Sequence, residues 1–217
     1  MKILLFLGSV RESAPPKPIR LGKRVALACL NSFKRAFPND DIELIDALDI
    51  SLSEVFKPEF AYAQRNKPEQ LRSLAEKIEQ ADGYIMVSPE YNHSMSPALA
   101  NLLNHFGSSL FAYKPSCIVT YSAGQWGGAR AAVSMRTFLS ELGCLPVSAM
   151  IHIPKAHEVL DEQGKVRNEQ RDWHQYLNRT FSQLVWWAEA CIQQKSRLDP
   201  REMIADFKQD PSQRNAP

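Results

Sequence analysis

The chain has 217 residues, 44% of them apolar, which suffices for one full core rather than several. Lys and Arg total 26 against 24 Asp and Glu, and the resulting net charge of +2 excludes nucleic acid and membrane surfaces as partners recruited by charge. Cys29, Cys117, Cys144 and Cys191 form no CxxC pair, which disfavours a zinc site or a dithiol redox motif and points to buried free thiols in a reducing compartment.

The N-terminal MKILLFLGS reads as a buried strand over residues 2–7. It lacks the extended basic region and cleavage pattern of a signal peptide. No apolar run approaches the ~18 residues of a membrane span, so a soluble, cytoplasmic protein without membrane contact is expected. Gly8 ends the strand, a polar turn Ser9-Val-Arg-Glu-Ser13 follows, and Pro15, Pro16 and Pro18 delay the next helix to about Leu21. Leu21, Val25, Ala28 and Cys29 recur there at helical spacing.

Residues 41–45 predict a second strand and 46–67 a long loop. Pro68 opens a helix with the stripe Leu71, Leu74, Ala75 and Ile78. Residues 84–87 form a third apolar run that leads into Ser88, Pro89 and a polar loop. Ser96 as N-cap and Pro97 at the first helical position then start a helix carrying Leu99, Leu102, Leu103 and Phe106. A fourth strand over 116–121 ends in the glycine-rich loop 122–128. Next come a helix closed by Gly143, a fifth strand over 146–153 and a final amphipathic helix around Leu177 to Ala188.

This alternation predicts an α/β fold: a flavodoxin-like, doubly wound, five-stranded parallel sheet of order 2-1-3-4-5 with helices on both faces. Residues 1–190 are expected as the domain and 191–217 as a C-terminal extension, partly disordered. That strand order sets strands 1, 3 and 4 side by side, so the loops at 9–13, 88–96 and 122–128 open onto one carboxyl edge, where such sheets bind ligands. The first loop lacks both GxGxxG and GxxxxGK[ST]. Its Ser9, Arg11 and Ser13, with a helix N-terminus behind them, suit a terminal phosphate, and Arg11 should outweigh either serine because hydrogen bonds to charged groups are the stronger ones. Tyr91 and Asn92 suit a flat heterocycle. His105, His152, His157 and His174 show no metal-ligand spacing, and no metal site is expected. Residues 161–164 read as a turn rather than a calcium loop.

GSVRES at 8–13, SPEYNHS at 88–94 and SAGQWGGARAA at 122–132 resemble, in order and spacing, the signatures of the NADPH-dependent FMN reductase family, which includes flavodoxin-like quinone, azo-dye and chromate reductases. The resemblance implies FMN held non-covalently, with NADPH or NADH as electron donor and a small-molecule acceptor such as a quinone, a flavin, an azo compound or a metal oxyanion. It also implies a homodimer or homotetramer. Carried over by position, Ser9 and Arg11 hold the phosphate, helped by Ser13 and Arg20. Pro89, Glu90, Tyr91 and Asn92 line the ring with His93 beside them, and Tyr121, Ser122 and Gly124 cover the opposite rim. No side chain acts as a catalytic nucleophile or acid; the flavin carries the chemistry. The alternative is a flavin-binding electron carrier or redox-sensing interaction protein with little turnover. Three departures stand out: the insertion at 14–18, the absence of the family's Gly, Lys and Asp after Pro97, and an extension past the family's usual end.

Overall fold

A computed structural model describes residues 1–13, 16–168, 172–209 and 211. The elements run β1 (Lys2–Leu7), α1 (Leu21–Ala36), β2 (Asp41–Asp46), α2 (Glu69–Gln80), β3 (Gly83–Pro89), α3 (Pro97–Asn104) and α4 (Ser108–Phe111). They continue with β4 (Pro115–Tyr121), α5 (Ala129–Leu142), β5 (Leu145–Pro146), β6 (Ile151–Ile153), α6 (Ala156–Val159), α7 (Trp173–Arg197) and α8 (Pro200–Met203). The strands form a parallel sheet of order β2-β1-β3-β4-β5, with β6 also paired to β4. The expected 2-1-3-4-5 order is observed.

Why the strands lack an alternating sequence pattern follows from this architecture. Side chains alternate between the faces of a strand, and helices cover both faces here, so both sets must be apolar. Ile3, Leu5 and Leu7 of β1 join Ile85, Val87 and Val119 beneath α1 and α7. Leu4 and Phe6 join Tyr84, Met86 and Ile118 beneath α2, α3 and α5. Each fully buried apolar side chain of this size contributes about 1.5–3 kcal/mol of gross stabilisation.

The fifth strand departs from expectation. Instead of one strand over 146–153, two residues pair as β5 and three as β6, with 147–150 leaving the ladder between them. The carbonyls released there are taken by one side chain, the Arg136 guanidinium of α5, which donates to Pro146 O (3.2 Å), Val147 O (2.9 Å) and Ser148 O (3.1 Å). Arg136 thereby pairs carbonyls that the ladder no longer takes, through part-buried to exposed hydrogen bonds.

Loop 47–67, read as irregular, contains three short 3₁₀ turns and packs on α3, with Phe56 edge-on to His105 at 4.7 Å. Helix α7 runs without a break from 173 to 197. Beyond it, α8 and a 3₁₀ turn at 205–208 bring Phe207 against Tyr113, with ring centroids 5.2 Å apart. The disorder expected at the chain end, and part of the 14–18 insertion, fall on residues outside those described. Cys29, Cys117 and Cys144 are buried and Cys191 is half-buried, none of them in a disulfide. Among the described residues, no helix is long and apolar enough to cross a membrane.

Candidate functional site

The carboxyl ends of β1, β3 and β4 lie adjacent, so the loops at 8–13, 88–96 and 122–128 meet on one edge. The middle loop is the most tightly braced. Ser96 is the N-cap of α3, accepting from Leu99 N–H at 3.1 Å, and its hydroxyl donates to Gly8 O in the first loop. Ser96 N–H donates to Ser88 Oγ at 2.9 Å, and that hydroxyl donates to Pro89 O at 2.8 Å. Ser88 and Ser96 thus fix where β3 ends and α3 begins, which leaves the intervening residues to project outward. Tyr91 and Ser94 exchange backbone hydrogen bonds at 3.0 and 2.9 Å. Asn92 and His93 form the tip between them with φ of 49° and 62°, a tight turn with both central residues left-handed.

Cross-loop bonds tie this hairpin to its neighbours. Arg11 Nε–H donates to Tyr91 Oη at 2.8 Å, with its guanidinium 5.4 Å from the Tyr91 ring centroid. Glu90 N–H donates to Tyr121 O at 3.3 Å. Ser9 is buried, and its hydroxyl shares a hydrogen bond with Tyr121 Oη. Of the expected residues, Ser9, Arg11, Pro89, Glu90, Tyr91 and Tyr121 are therefore brought together. Asn92 and His93 project from the hairpin tip and are exposed, and Ser13 is half-buried just before the segment outside the described residues. Ser122 and Gly124 belong to the outer loop, which is tied to β6 and α6 by Ser122 N–H to Ile153 O (3.2 Å), Ala156 N–H to Ser122 O (3.0 Å) and Lys155 N–H to Gly124 O (2.9 Å). That loop needs its glycines: Gly127 and Gly128 have φ of 60° and 83°, and a Cβ on Gly128 would stand 2.7 Å from Thr120 Cβ.

Tyr121 lies elsewhere than the resemblance implied, and Arg20 carries a second contact besides any to a ligand. Tyr121 is 4% exposed and points beneath α1 rather than over the rim, because its position along β4 puts it on the α1 face with Val119. Its hydroxyl sits where a Cβ on Gly22 would come to 2.5 Å, so the small residue in the first turn of α1 makes room for it. Burial pushes the phenol well above its ordinary pKa, while the Ser9 hydrogen bond and the charges of Arg20 and Arg11 pull the other way. Arg20, 8% exposed, is committed to a buried ion pair with Asp46 at the end of β2; Asp46 also takes Lys23 Nζ at 3.2 Å and caps Leu48 N–H at 3.1 Å. Asp46 escaped the sequence reading, although an acid ending a strand beside the ligand edge was a usable signal. Thr120 and His152 escaped it as well. Thr120 Oγ1 and His152 Nδ1 are 2.8 Å apart on adjacent strands under the outer loop, and burial lowers the His152 pKa.

The family model described as NADPH-dependent FMN reductase matches residues 1–158. The chain belongs to that family. FMN is the family's cofactor, NAD(P)H its electron donor, and the chain is an enzyme of the FMN reductase class. A quinone reductase from Escherichia coli K12 is 33% identical over 144 residues, covering 64% of this chain and 69% of the relative. A 2-hydroxy-1,4-benzoquinone reductase from Burkholderia sp. is 27% identical over 192 residues, covering 86% and 96%. The solved structure of FerB, a flavoenzyme NAD(P)H:(acceptor) oxidoreductase from Paracoccus denitrificans, shares the fold with a TM-score of 0.62 at 20% identity, covering 87% of this chain and 97% of that one.

The donor set at the start of α1 fits the phosphate of this family's cofactor. Among the described residues, Arg20, the residue before α1, keeps a buried Nε without a partner, and the helix opens with no side-chain cap and no acid in its first turn. Arg20 and Lys23 outnumber Asp46 by one charge. An orphaned buried donor, free helix amides and a surplus positive charge are what a bound phosphate would satisfy.

Proposed function

We propose that the protein holds FMN on this edge and carries electrons from NAD(P)H to quinone-type acceptors in two separate half-reactions. The cross-loop hydrogen bonds of Arg11 with Tyr91 and of Ser9 and Glu90 with Tyr121 support this reading best, because they make one continuous surface of three loops that the sequence keeps far apart. When bound, FMN supplies the redox chemistry, taking hydride from the nicotinamide and delivering electrons to the acceptor.

The chain's own part is binding and orientation. Arg20 Nε, Ser9 and the first amides of α1 take the phosphate, Ser13 closes the near side, and Tyr121 keeps Ser9 oriented. Pro89, Glu90, Tyr91 and Asn92 line the ring, with His93 at the outer tip and Ser122 and Gly124 on the far flank. A Cβ on Gly124 would meet open space apart from Ser122 Oγ at 3.9 Å, which leaves its backbone accessible to a planar partner. Arg11 takes a different place from the one its motif implies: its Nε is spent on Tyr91, so it serves to hold the hairpin over the site.

Purified protein should be yellow, should oxidise NADPH when a benzoquinone is added, and should give parallel double-reciprocal plots as the two substrates are varied. A colourless protein that FMN cannot reconstitute removes the flavin reading. Intersecting plots remove the two-step order. Rapid mixing with NADPH in the absence of oxygen distinguishes an enzyme from a slow electron carrier, since a carrier would bleach no faster than free flavin does.

A further inference from the structure

The end of the sheet away from the three loops carries a cavity that none of the roles above uses. It lies at the amino ends of β3 and β4, has a volume of about 310 Å³, and is bounded by α2, α4, the last turns of α7, α8 and the turn at 205–208. That volume sits at the lower end of the ~300–1,000 Å³ usual for small-molecule sites. About half of its wall, including Ile192, Leu198, Met203 and Phe207, comes from beyond residue 158, where the match to the family model ends. The body of the domain supplies Ala112, Tyr113 and Leu145 on the facing side, and Phe207 closes against Tyr113. Leu145, Ile192, Leu198 and Met203 stay exposed there, so a ligand with an apolar body would cover surface that the fold leaves in water. Tyr113 is held with φ of 63°, a left-handed conformation unfavourable for a bulky side chain, and strain of this kind concentrates at ligand clamps.

Charge narrows that ligand. Three cations, Lys114, Lys195 and Arg201, and three carboxylates, Glu79, Asp82 and Asp199, border the cavity. Each carboxylate is already engaged: Glu79 pairs with Arg201 at 2.9 Å, Asp82 accepts from Lys2 N–H at 2.8 Å, and Asp199 accepts from Arg201 N–H at 3.0 Å. Lys114 Nζ donates to Ile78 O (2.7 Å), Glu79 O (2.7 Å) and Leu110 O (2.9 Å), which uses all three of its protons. Lys195 has no hydrogen-bond or carboxylate partner among the described residues. Burial, and then the charges of Lys195 and Arg201, lower the Lys114 pKa, and each of those two cations acts there more strongly than Glu79 or Asp82. The cavity thus combines an apolar wall, a positive local field and one uncommitted ammonium. We propose that it binds a small apolar carboxylate of medium chain length, with the hydrocarbon against Tyr113, Ile192, Leu198, Met203 and Phe207 and the carboxylate on Lys195. An anion there relieves the repulsion among the three cations, and the apolar body supplies most of the affinity.

Calorimetric titration of the purified protein with decanoate and with decylamine, equal in chain length and opposite in charge, reads the site without turnover, and the visible spectrum of the same samples reads flavin content. Decanoate should bind at least about tenfold more tightly than decylamine. Lys195→Gln should bring the two within about threefold, because it keeps the length of the side chain and removes its charge. Met203→Asp, at an exposed position, should weaken decanoate at least about tenfold by setting a carboxylate in its path. Both variants should melt within about 2 °C of the wild type and take up FMN as it does, since surface substitutions of this kind change stability little. No decanoate binding by the wild type, an equal or higher affinity for decylamine, a preference that survives Lys195→Gln, or full decanoate affinity in Met203→Asp overturns the proposal. A protein that cannot take up FMN but binds decanoate in a Lys195-dependent way removes the flavin reading and leaves this site standing, because the two lie at opposite ends of the sheet.

Discussion

Asp46 offers the sharpest test of how the site is held together. Its carboxylate and the Arg20 guanidinium are both nearly fully buried, with side-chain exposures of 4% and 6%. Removing one partner of such a pair leaves the other charge buried and costs about 3–5 kcal/mol. The lost cap on Leu48 N–H adds about 1 kcal/mol, and the half-exposed contact to Lys23 adds less than about 1. Asp46→Ala should therefore lose about 4–6 kcal/mol, a large part of the ~5–15 kcal/mol that typically holds a domain. Asp46→Asn is the closer variant in shape: it keeps an oxygen acceptor for Arg20 and the Leu48 cap but still strands the buried guanidinium, and should lose about 3–5 kcal/mol. It also raises the local charge of Arg20, Lys23 and residue 46 from +1 to +2, since two cations then face no anion. A phosphate should be held more tightly there, so saturating FMN should restore more stability to the Asn variant than to the wild type; at a hundredfold excess over Kd the wild-type gain is about 2.7 kcal/mol. Urea unfolding followed by circular dichroism, with and without FMN, measures both quantities. A loss below about 0.5 kcal/mol in Asp46→Asn, or a smaller FMN gain than in the wild type, would refute the assignment of this cluster to the phosphate.

Three further outcomes are expected. Gly8→Ala should destabilise the protein by about 1–3 kcal/mol and lower flavin occupancy together, because the added methyl collides with Leu99 Cβ and crowds Ser96 Oγ at 3.0 Å, forcing α3 away from the end of β1; thermal unfolding and the visible spectrum check it, and an unchanged melting temperature speaks against the close packing. Arg11→Ala and Tyr91→Phe should each weaken FMN binding modestly while the double variant does little more than either alone, since they share one exposed hydrogen bond; additive losses measured by fluorescence titration would mean that Arg11 acts on the ligand independently of Tyr91. His152 has a folded-state pKa below its ordinary 6.5, so the unfolded chain takes up the proton first as pH falls. Stability should then decline below about pH 6.5, by at most about 1.4 kcal/mol per unit, and stay level above it with respect to this group. His152→Asn should flatten that slope, and an identical slope in both proteins would exclude His152 as its source.

The strand order and most element boundaries were legible in the sequence because local signals coincided with the tertiary answer. Continuous apolar runs marked strands covered on both faces, and Ser96 with Pro97 marked the start of α3 to the residue. The split of the last strand was not legible: it goes with Arg136, whose ten- to twelve-residue reach from α5 to the 146–148 carbonyls has no sequence signature. In the site, motif position identified which loops meet but not where side chains point. Tyr121 turned inward because strand phase, not motif membership, sets its face. Arg20 proved to be paired because its partner Asp46 comes from a strand end 26 residues away.

The interrupted outer margin of the sheet bears on how the protein behaves at high concentration. A long, regular outer strand exposes a row of unpaired amides and carbonyls on which another chain can assemble. Here the ladder is broken into pieces of two and three residues, and Arg136 already occupies the carbonyls of the gap. The same arginine that completes the fold thus also blunts this margin of the sheet, whereas the opposite margin, β2, is an unbroken six-residue edge.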